Sequence, residues 1–168
     1  MLDYTKIKPG DILLYKANEW SRFSSKFIEW GQRILGQAPS KENYCHVAMV
    51  DDDPTYVLEA KWPKTHRVKL DWIELSEHYD IEIWRVKGIK KDQIKKATAW
   101  ARKNVGLFYD LGLFLFGAFD FKKAEVCSTY VQKAFQAAGI ELSIEGPGKK
   151  LTTPCEIAAN EKIIREVE

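Results

Sequence analysis

The chain contains 168 residues with a mass of 19.4 kDa, which is the usual size of one globular domain. Hydrophobic residues make up 45% and charged residues 30%, a mixture that excludes a disordered or collagen-like chain. The net charge of +2 is too small to indicate a nucleic-acid-binding protein, and no apolar run reaches the ~18 residues that span a bilayer.

The start of the chain and its cysteines bear on the cellular location. The first six residues, Met1 to Lys6, lack the apolar core of a secretory signal. Because the chain has three cysteines, at least one thiol is unpaired, and a disulfide framework is not expected. We therefore expect one domain over residues 1–168, in the reducing environment of the cytoplasm.

Hydrophobic periodicity predicts most of the strands before most of the helices. The predicted strands are 12–15, 45–50, 56–60, 67–70 and 81–86, the second and third forming a hairpin. The predicted helices are 19–35, 92–104, 126–138 and a short helix that begins at Thr153-Pro154. Residues 162–167 are too few to distinguish a strand from a helix. This order predicts an α+β fold with an antiparallel sheet packed against helices.

Two cysteines are candidate nucleophiles because each lies in the first turn of a predicted helix. Helix N-termini favour the ionised thiolate, which is the reactive form. By position alone Cys127 and Cys155 are equal candidates, whereas Cys45 lies on a strand where burial would make it inert. The alternative for each is a small buried hydrophobic residue. Ser128 is a weaker nucleophile candidate in the same turn as Cys127.

The predicted hairpin brings a histidine close to a carboxylate. With the turn centred near residues 52–53, His46 lies directly opposite Glu59, and opposed side chains have Cβ atoms ~4.5–5.5 Å apart. A carboxylate at that distance holds an imidazole in one tautomer, as a general base requires. A shift of the pairing by one residue would separate the two side chains. No CxxC or HxxxH spacing indicates zinc, so no metal or other cofactor is expected.

Several segments in this order resemble one group of enzymes. The chain resembles the permuted NlpC-type branch of the papain-like superfamily, in particular the YaeF/YiiX-type amidases, and more distantly the lecithin:retinol acyltransferase-like proteins. In this branch the histidine strand precedes the cysteine helix. The segments that carry the resemblance are Lys8–Leu14, His46–Val50, Val57–Ala60, Gly106–Asp110, Val126–Val131 and Thr153-Pro154.

The resemblance implies a permuted papain-like fold and assigns roles to individual residues. It implies that Cys127 rather than Cys155 is the nucleophile, that His46 is the base and that Glu59 is the orienting third residue. Tyr109 matches the Gly-x-x-Tyr-Asp segment upstream of the family cysteine and is expected to bind the substrate or the oxyanion. Tyrosine is also a common core residue, so a packing role is the alternative.

The implied activity is hydrolysis of an amide bond through an acyl-enzyme. The substrate class is a peptide, a cell-wall peptide or a lipid amide. Two alternatives stay open: an acyltransferase or thioesterase with the same triad, and a ligand-binding module without turnover. The expected partners are therefore a small peptide or an acyl amide, with a lipid-like ligand as one alternative, no nucleic acid and no transmembrane segment. The oligomeric state is not predicted.

Two further segments admit two interpretations each. Residues 107–119 are strongly apolar and form either part of the core or an apolar wall for an acyl chain. The lysines at positions 87, 90, 91, 95 and 96 indicate a solvated helix face, with contact to an anionic surface as the alternative.

Overall fold

A computed structural model describes residues 4–17, 44–71, 79–109, 124–143 and 152–165. Two predicted features lie wholly or mostly outside the described residues: the helix at 19–35 and the apolar segment at 107–119, of which only 107–109 are described.

Within the described residues, eight strands form one sheet. Their bounds are β1 Ile12–Ala17, β2 Tyr44–Val50, β3 Tyr56–Lys61, β4 Lys64–Lys69, β5 Tyr79–Val86, β6 Phe108–Tyr109, β7 Ala124–Glu125 and β8 Ile163–Arg165. The strand order is β7-β6-β4-β3-β2-β1-β5-β8. Neighbouring strands are antiparallel, except that β6 and β7 are parallel. Strands β1 to β5 confirm the five predicted strands. Residues 162–167, for which the sequence did not distinguish a strand from a helix, contain β8.

Three α-helices follow the long strands in the part of the chain that the structure describes. Their bounds are α1 Lys91–Lys103, α2 Cys127–Ala137 and α3 Pro154–Ala158, each within one residue of its predicted start. Gly139, just after α2, has a φ of 76°, the left-handed conformation expected of a helix-terminating glycine. Thr153 and Glu156 form the predicted capping box of α3. No helix in the described part of the chain is long and apolar enough to cross a membrane.

The sheet has a buried cluster on each of its faces. Along β1, Ile12 and Leu14 belong to the cluster that includes residues of α1, α2 and α3, whereas Leu13 and Tyr15 belong to the other. Helix α2 packs against β2, β3 and α1. The predicted α+β architecture, with helices packed on an antiparallel sheet, is confirmed.

The predicted pairing within the β2–β3 hairpin is wrong by two residues. Glu59 pairs with Ala48, not with His46, because the turn is centred slightly further along the chain than expected. Side chains in a strand alternate with a period of two, so a two-residue shift keeps His46 and Glu59 on the same side of the sheet. The two become diagonal neighbours, still within reach of long side chains.

A turn with a close packing contact precedes β1. Gly10 has a φ of 81°, and its amide donates to the carbonyl oxygen of Val50 at 3.1 Å. A Cβ atom at this position would lie 2.9 Å from Cγ1 of Ile94 in α1. Glycine is therefore required at the Pro9-Gly10-Asp11 turn both by its backbone conformation and by the approach of the helix.

Candidate active site

A histidine and a glutamate from neighbouring strands are hydrogen-bonded near the middle of the sheet. His46 Nε2 on β2 lies 2.7 Å from Glu59 Oε2 on β3. The Glu59 side chain is only 7% exposed and that of His46 17% exposed. A buried carboxylate in this position fixes the orientation of the imidazole and favours its protonated form.

Cys127 is the first residue of helix α2 and is buried. The side chains of the three residues that follow it hold the start of the helix. Thr129 Oγ1 accepts from the Val126 amide at 3.2 Å, Ser128 Oγ donates to the carbonyl oxygen of Thr152, and Tyr130 Oη donates to that of Ala101 at 2.6 Å. These contacts place the thiol firmly at the positive end of the helix dipole. They also engage the Ser128 hydroxyl, the weaker nucleophile candidate, as an anchor.

Cys127 and His46 shift each other's pKa in opposite directions. Burial by itself raises the pKa of Cys127. The hydrogen bond to His46 and the positive charge of its ring lower this pKa, as do the backbone N–H groups of Val47 and Ser128, and the net shift is downward. Burial by itself lowers the pKa of His46, but its hydrogen bonds and charge interactions with Cys127 and Glu59 raise it to about 10. The arrangement therefore favours a thiolate–imidazolium pair at neutral pH.

Glu59 and Tyr109 complete the group of titratable residues. Burial raises the pKa of Glu59, but its hydrogen bond to His46 and the positive charges of His46, Lys61 and His66 lower it overall. Tyr109 on β6 hydrogen-bonds Cys127, and burial together with the thiolate charge raises the pKa of the phenol. Glu59 is therefore ionised, and Tyr109 keeps its proton available for donation.

The three cysteines lie in different environments, and none of them is in a disulfide. Cys45 is buried and its thiol donates to the carbonyl oxygen of Tyr15 at 3.4 Å. The Cys155 thiol, in helix α3, lies 3.8 Å from the carbonyl oxygen of Tyr44. The residues brought together are thus Cys127, His46, Glu59 and Tyr109, the four that the sequence analysis singled out.

Tyr15 is a neighbour of His46 that sequence reasoning missed. It pairs with His46 across β1 and β2, and the two rings meet edge to face with centroids 5.0 Å apart. Among the buried side-chain nitrogen and oxygen atoms that the structure describes, Tyr15 Oη is one of two without a hydrogen-bond partner. Burial first, then the charges of Glu59 and Cys45, raise the pKa of this phenol well above its usual value. In the sequence Tyr15 only continues an apolar run, which gives no signal of this contact.

The sequence of the chain matches one known enzyme family. A sequence model of the permuted papain-like amidase enzymes of the YaeF/YiiX, C92 family matches residues 6–153. The chain therefore belongs to that family, and its class is that of the papain-like cysteine hydrolases. No curated protein sequence matches the chain.

Proposed function

We propose that this protein is a cysteine amidase in which Cys127 is the nucleophile, His46 the general acid and base, and Glu59 the residue that orients His46. Tyr109 is the fourth member, a hydrogen-bond donor to the oxyanion of the tetrahedral intermediate. The substrate is an amide of a peptide or of an acyl chain.

The observation that carries the proposal is the set of contacts around His46. Its ring is hydrogen-bonded to Glu59 at 2.7 Å and also interacts with the thiol of Cys127. A nucleophile, a base and a residue that orients the base are the groups that acyl transfer requires. The opposite pKa shifts of Cys127 and His46 support an ionised nucleophile near neutral pH.

The reaction follows from these positions. The Cys127 thiolate attacks the amide carbon, forming an S–C bond and moving an electron pair to the carbonyl oxygen. The proton held by His46 passes to the leaving nitrogen as the C–N bond breaks, and an amine departs. Water then gives a proton to His46 and attacks the thioester, which releases the acid and restores the thiolate.

Stabilisation of the oxyanion is the role expected for the start of helix α2. The first N–H groups of a helix have no acceptor within the helix, and here they belong to residues at and next to Cys127. The Tyr109 hydroxyl, which hydrogen-bonds the thiol, approaches the same region. Donors aimed at a developing negative charge in a buried site contribute more than the same donors in water.

The test is to trap the acyl-enzyme. The protein is mixed with a panel of acyl and peptidyl p-nitroanilides, quenched in acid and analysed by peptide mass spectrometry. We expect the acyl mass on the peptide that contains Cys127 and release of nitroaniline over many turnovers. Cys127→Ala should abolish both, whereas the matched control Cys155→Ala should retain them.

Two outcomes would count against the proposal. One is an acyl group found on Cys45 or Cys155 with turnover retained in Cys127→Ala. The other is that no member of the panel is cleaved although Cys127 is ionised at neutral pH, which would favour a binding module.

A further inference from the structure

Exposed hydrophobic residues gather at one edge of the sheet. Four large hydrophobic side chains are exposed in the described part of the chain, and three of them are Trp62 at 65%, Val105 at 42% and Phe108 at 63%. The fourth, Ile164 at 42%, lies on β8 at the opposite edge. Monomeric proteins seldom expose such large side chains in one place without a function.

Two short loops build this edge. Trp62 and Pro63 form the turn between β3 and β4, and Val105 lies in the loop that joins α1 to β6. The buried Thr65 binds the loop to the hairpin, because its Oγ1 donates to the carbonyl oxygen of Asn104 at 2.6 Å and accepts from the Leu107 amide at 3.0 Å. The exposed residues are therefore held on ordered backbone.

Lysines flank both of these loops. Lys61 and Lys64 flank the turn and are exposed, and Lys64 Nζ lies 5.0 Å from the centre of the Phe108 ring. Lys103 is exposed at the end of α1. Residues 61–69 and 103–109 contain no aspartate or glutamate. We name Trp62, Val105, Phe108, Lys61 and Lys64 the aromatic edge.

The aromatic edge begins one residue from the proposed active site. Phe108 precedes Tyr109, which hydrogen-bonds Cys127. The Tyr109 amide donates to the carbonyl oxygen of Pro63 at 2.9 Å, so the hairpin turn and the strand that carries Tyr109 are joined directly. A surface bound to the aromatic edge would lie close to the proposed site.

We infer that the aromatic edge binds the surface of an anionic lipid bilayer. Tryptophan and phenylalanine favour the region between headgroups and acyl chains, whereas lysines beside them attract anionic headgroups. Exposed aromatic side chains match the apolar part of such a surface, and the lysines of the two loops match its anionic headgroups. The inference goes beyond the proposed function, because surface binding does not require catalysis.

The experiment is co-sedimentation of the full chain with vesicles. Vesicles of phosphatidylcholine with about 30% phosphatidylglycerol are compared with vesicles of phosphatidylcholine alone. We expect binding to the anionic vesicles, weakened at high salt because the Debye length shrinks to ~3 Å at 1 M. Trp62→Ser with Phe108→Ser should reduce the affinity at least about tenfold. Lys61→Gln with Lys64→Gln should reduce it about fivefold for each lysine.

Matched control variants separate this surface from general effects. Ile164→Ser removes a hydrophobic side chain of similar exposure at the other edge, and Lys91→Gln with Lys95→Gln removes two exposed lysines from α1. Both controls should bind like the unchanged protein. Cys127→Ser should bind too, so a failure of the proposed catalytic role and a failure of this inference give different results.

Three results would overturn the inference. The first is absence of binding to anionic vesicles at millimolar lipid by a protein whose circular dichroism is that of the folded chain. The second is binding that the aromatic and lysine variants leave unchanged. The third is a dimer that Trp62→Ser with Phe108→Ser dissociates, because the aromatic edge would then be covered by a second copy of the chain.

Discussion

His46 Nε2 lies 2.7 Å from Glu59 Oε2, although Glu59 pairs with Ala48 and not with His46 across the hairpin. The hydrogen bond therefore joins two long side chains that are diagonal neighbours on adjacent strands. Its geometry lets one buried carboxylate stabilise the protonated imidazole while the same ring interacts with Cys127.

Replacement of the carboxylate tests the orienting role. Glu59→Gln keeps the shape but removes the negative charge, so the raised pKa of His46 should fall and the lowered pKa of Cys127 should rise. We expect the alkylation rate of Cys127 at pH 6 to drop by about tenfold, as a pKa shift of one unit implies. Glu161→Gln, at an exposed position, is the control and should leave the rate unchanged. An unchanged rate in Glu59→Gln would contradict the orienting role.

The Tyr109 hydroxyl is expected to act on the oxyanion more than on binding of the substrate. Tyr109→Phe should lower kcat on the order of a hundredfold with little change in KM, because one donor to the oxyanion is lost. Steady-state kinetics with a cleaved anilide measure both constants. Tyr56→Phe, on the far side of the hairpin, is the control. A rise in KM with kcat retained would instead indicate that Tyr109 binds the substrate.

The ring of Tyr15 and its hydroxyl should have separable effects. Tyr15→Phe keeps the edge-to-face contact with His46 and removes a buried hydroxyl that lacks a hydrogen-bond partner, so the free energy of unfolding should stay equal or rise by up to ~1 kcal/mol. Tyr15→Leu removes the ring contact and should slow alkylation of Cys127 several-fold. Urea unfolding and alkylation rates measure the two effects. A loss of thiol reactivity in Tyr15→Phe would show that the hydroxyl has a role of its own.

The Pro9-Gly10-Asp11 turn offers a test of the packing between this turn and helix α1. Gly10 and Gly88 both have a positive φ, but only at Gly10 would an added Cβ meet another side chain, at 2.9 Å from Ile94. Gly88→Ala should cost about 1–2 kcal/mol from its backbone conformation. Gly10→Ala should cost a further ~1–3 kcal/mol from the overlap. Equal midpoints in urea for the two variants would contradict the close approach of α1.

The long elements were predictable because each leaves a periodic signal in the sequence. Helices α1 and α2 start within one residue of their predicted starts, since hydrophobic spacing is a local feature of the sequence. Strands β6 and β7 were not predicted, because two residues cannot show a period. The same applies to β8, whose three residues left the tail undecided between strand and helix.

The four predicted site residues lie together in the structure, but their detailed geometry was not predicted. The predicted pairing of His46 with Glu59 was wrong by two residues. The two side chains still meet, because a shift of two residues leaves both of them on the same side of the sheet. The choice of Cys127 over Cys155 came from family resemblance, because both occupy first turns of helices. The contact of Tyr15 with His46 could not be predicted, since it depends on how β1 and β2 align across a long separation in sequence.

The thiolate–imidazolium pair is tested by the alkylation rate of each cysteine against pH, followed by peptide mass spectrometry. We expect Cys127 to react faster at pH 6 than Cys45 and Cys155, because protonated His46 lowers the pKa of its thiol. In His46→Ala the rate at pH 6 should fall and the profile should move towards that of an ordinary thiol, with a midpoint of ~8.5. A Cys127 profile that already has this ordinary midpoint in the unchanged protein, or that His46→Ala does not move, would contradict the thiolate–imidazolium pair.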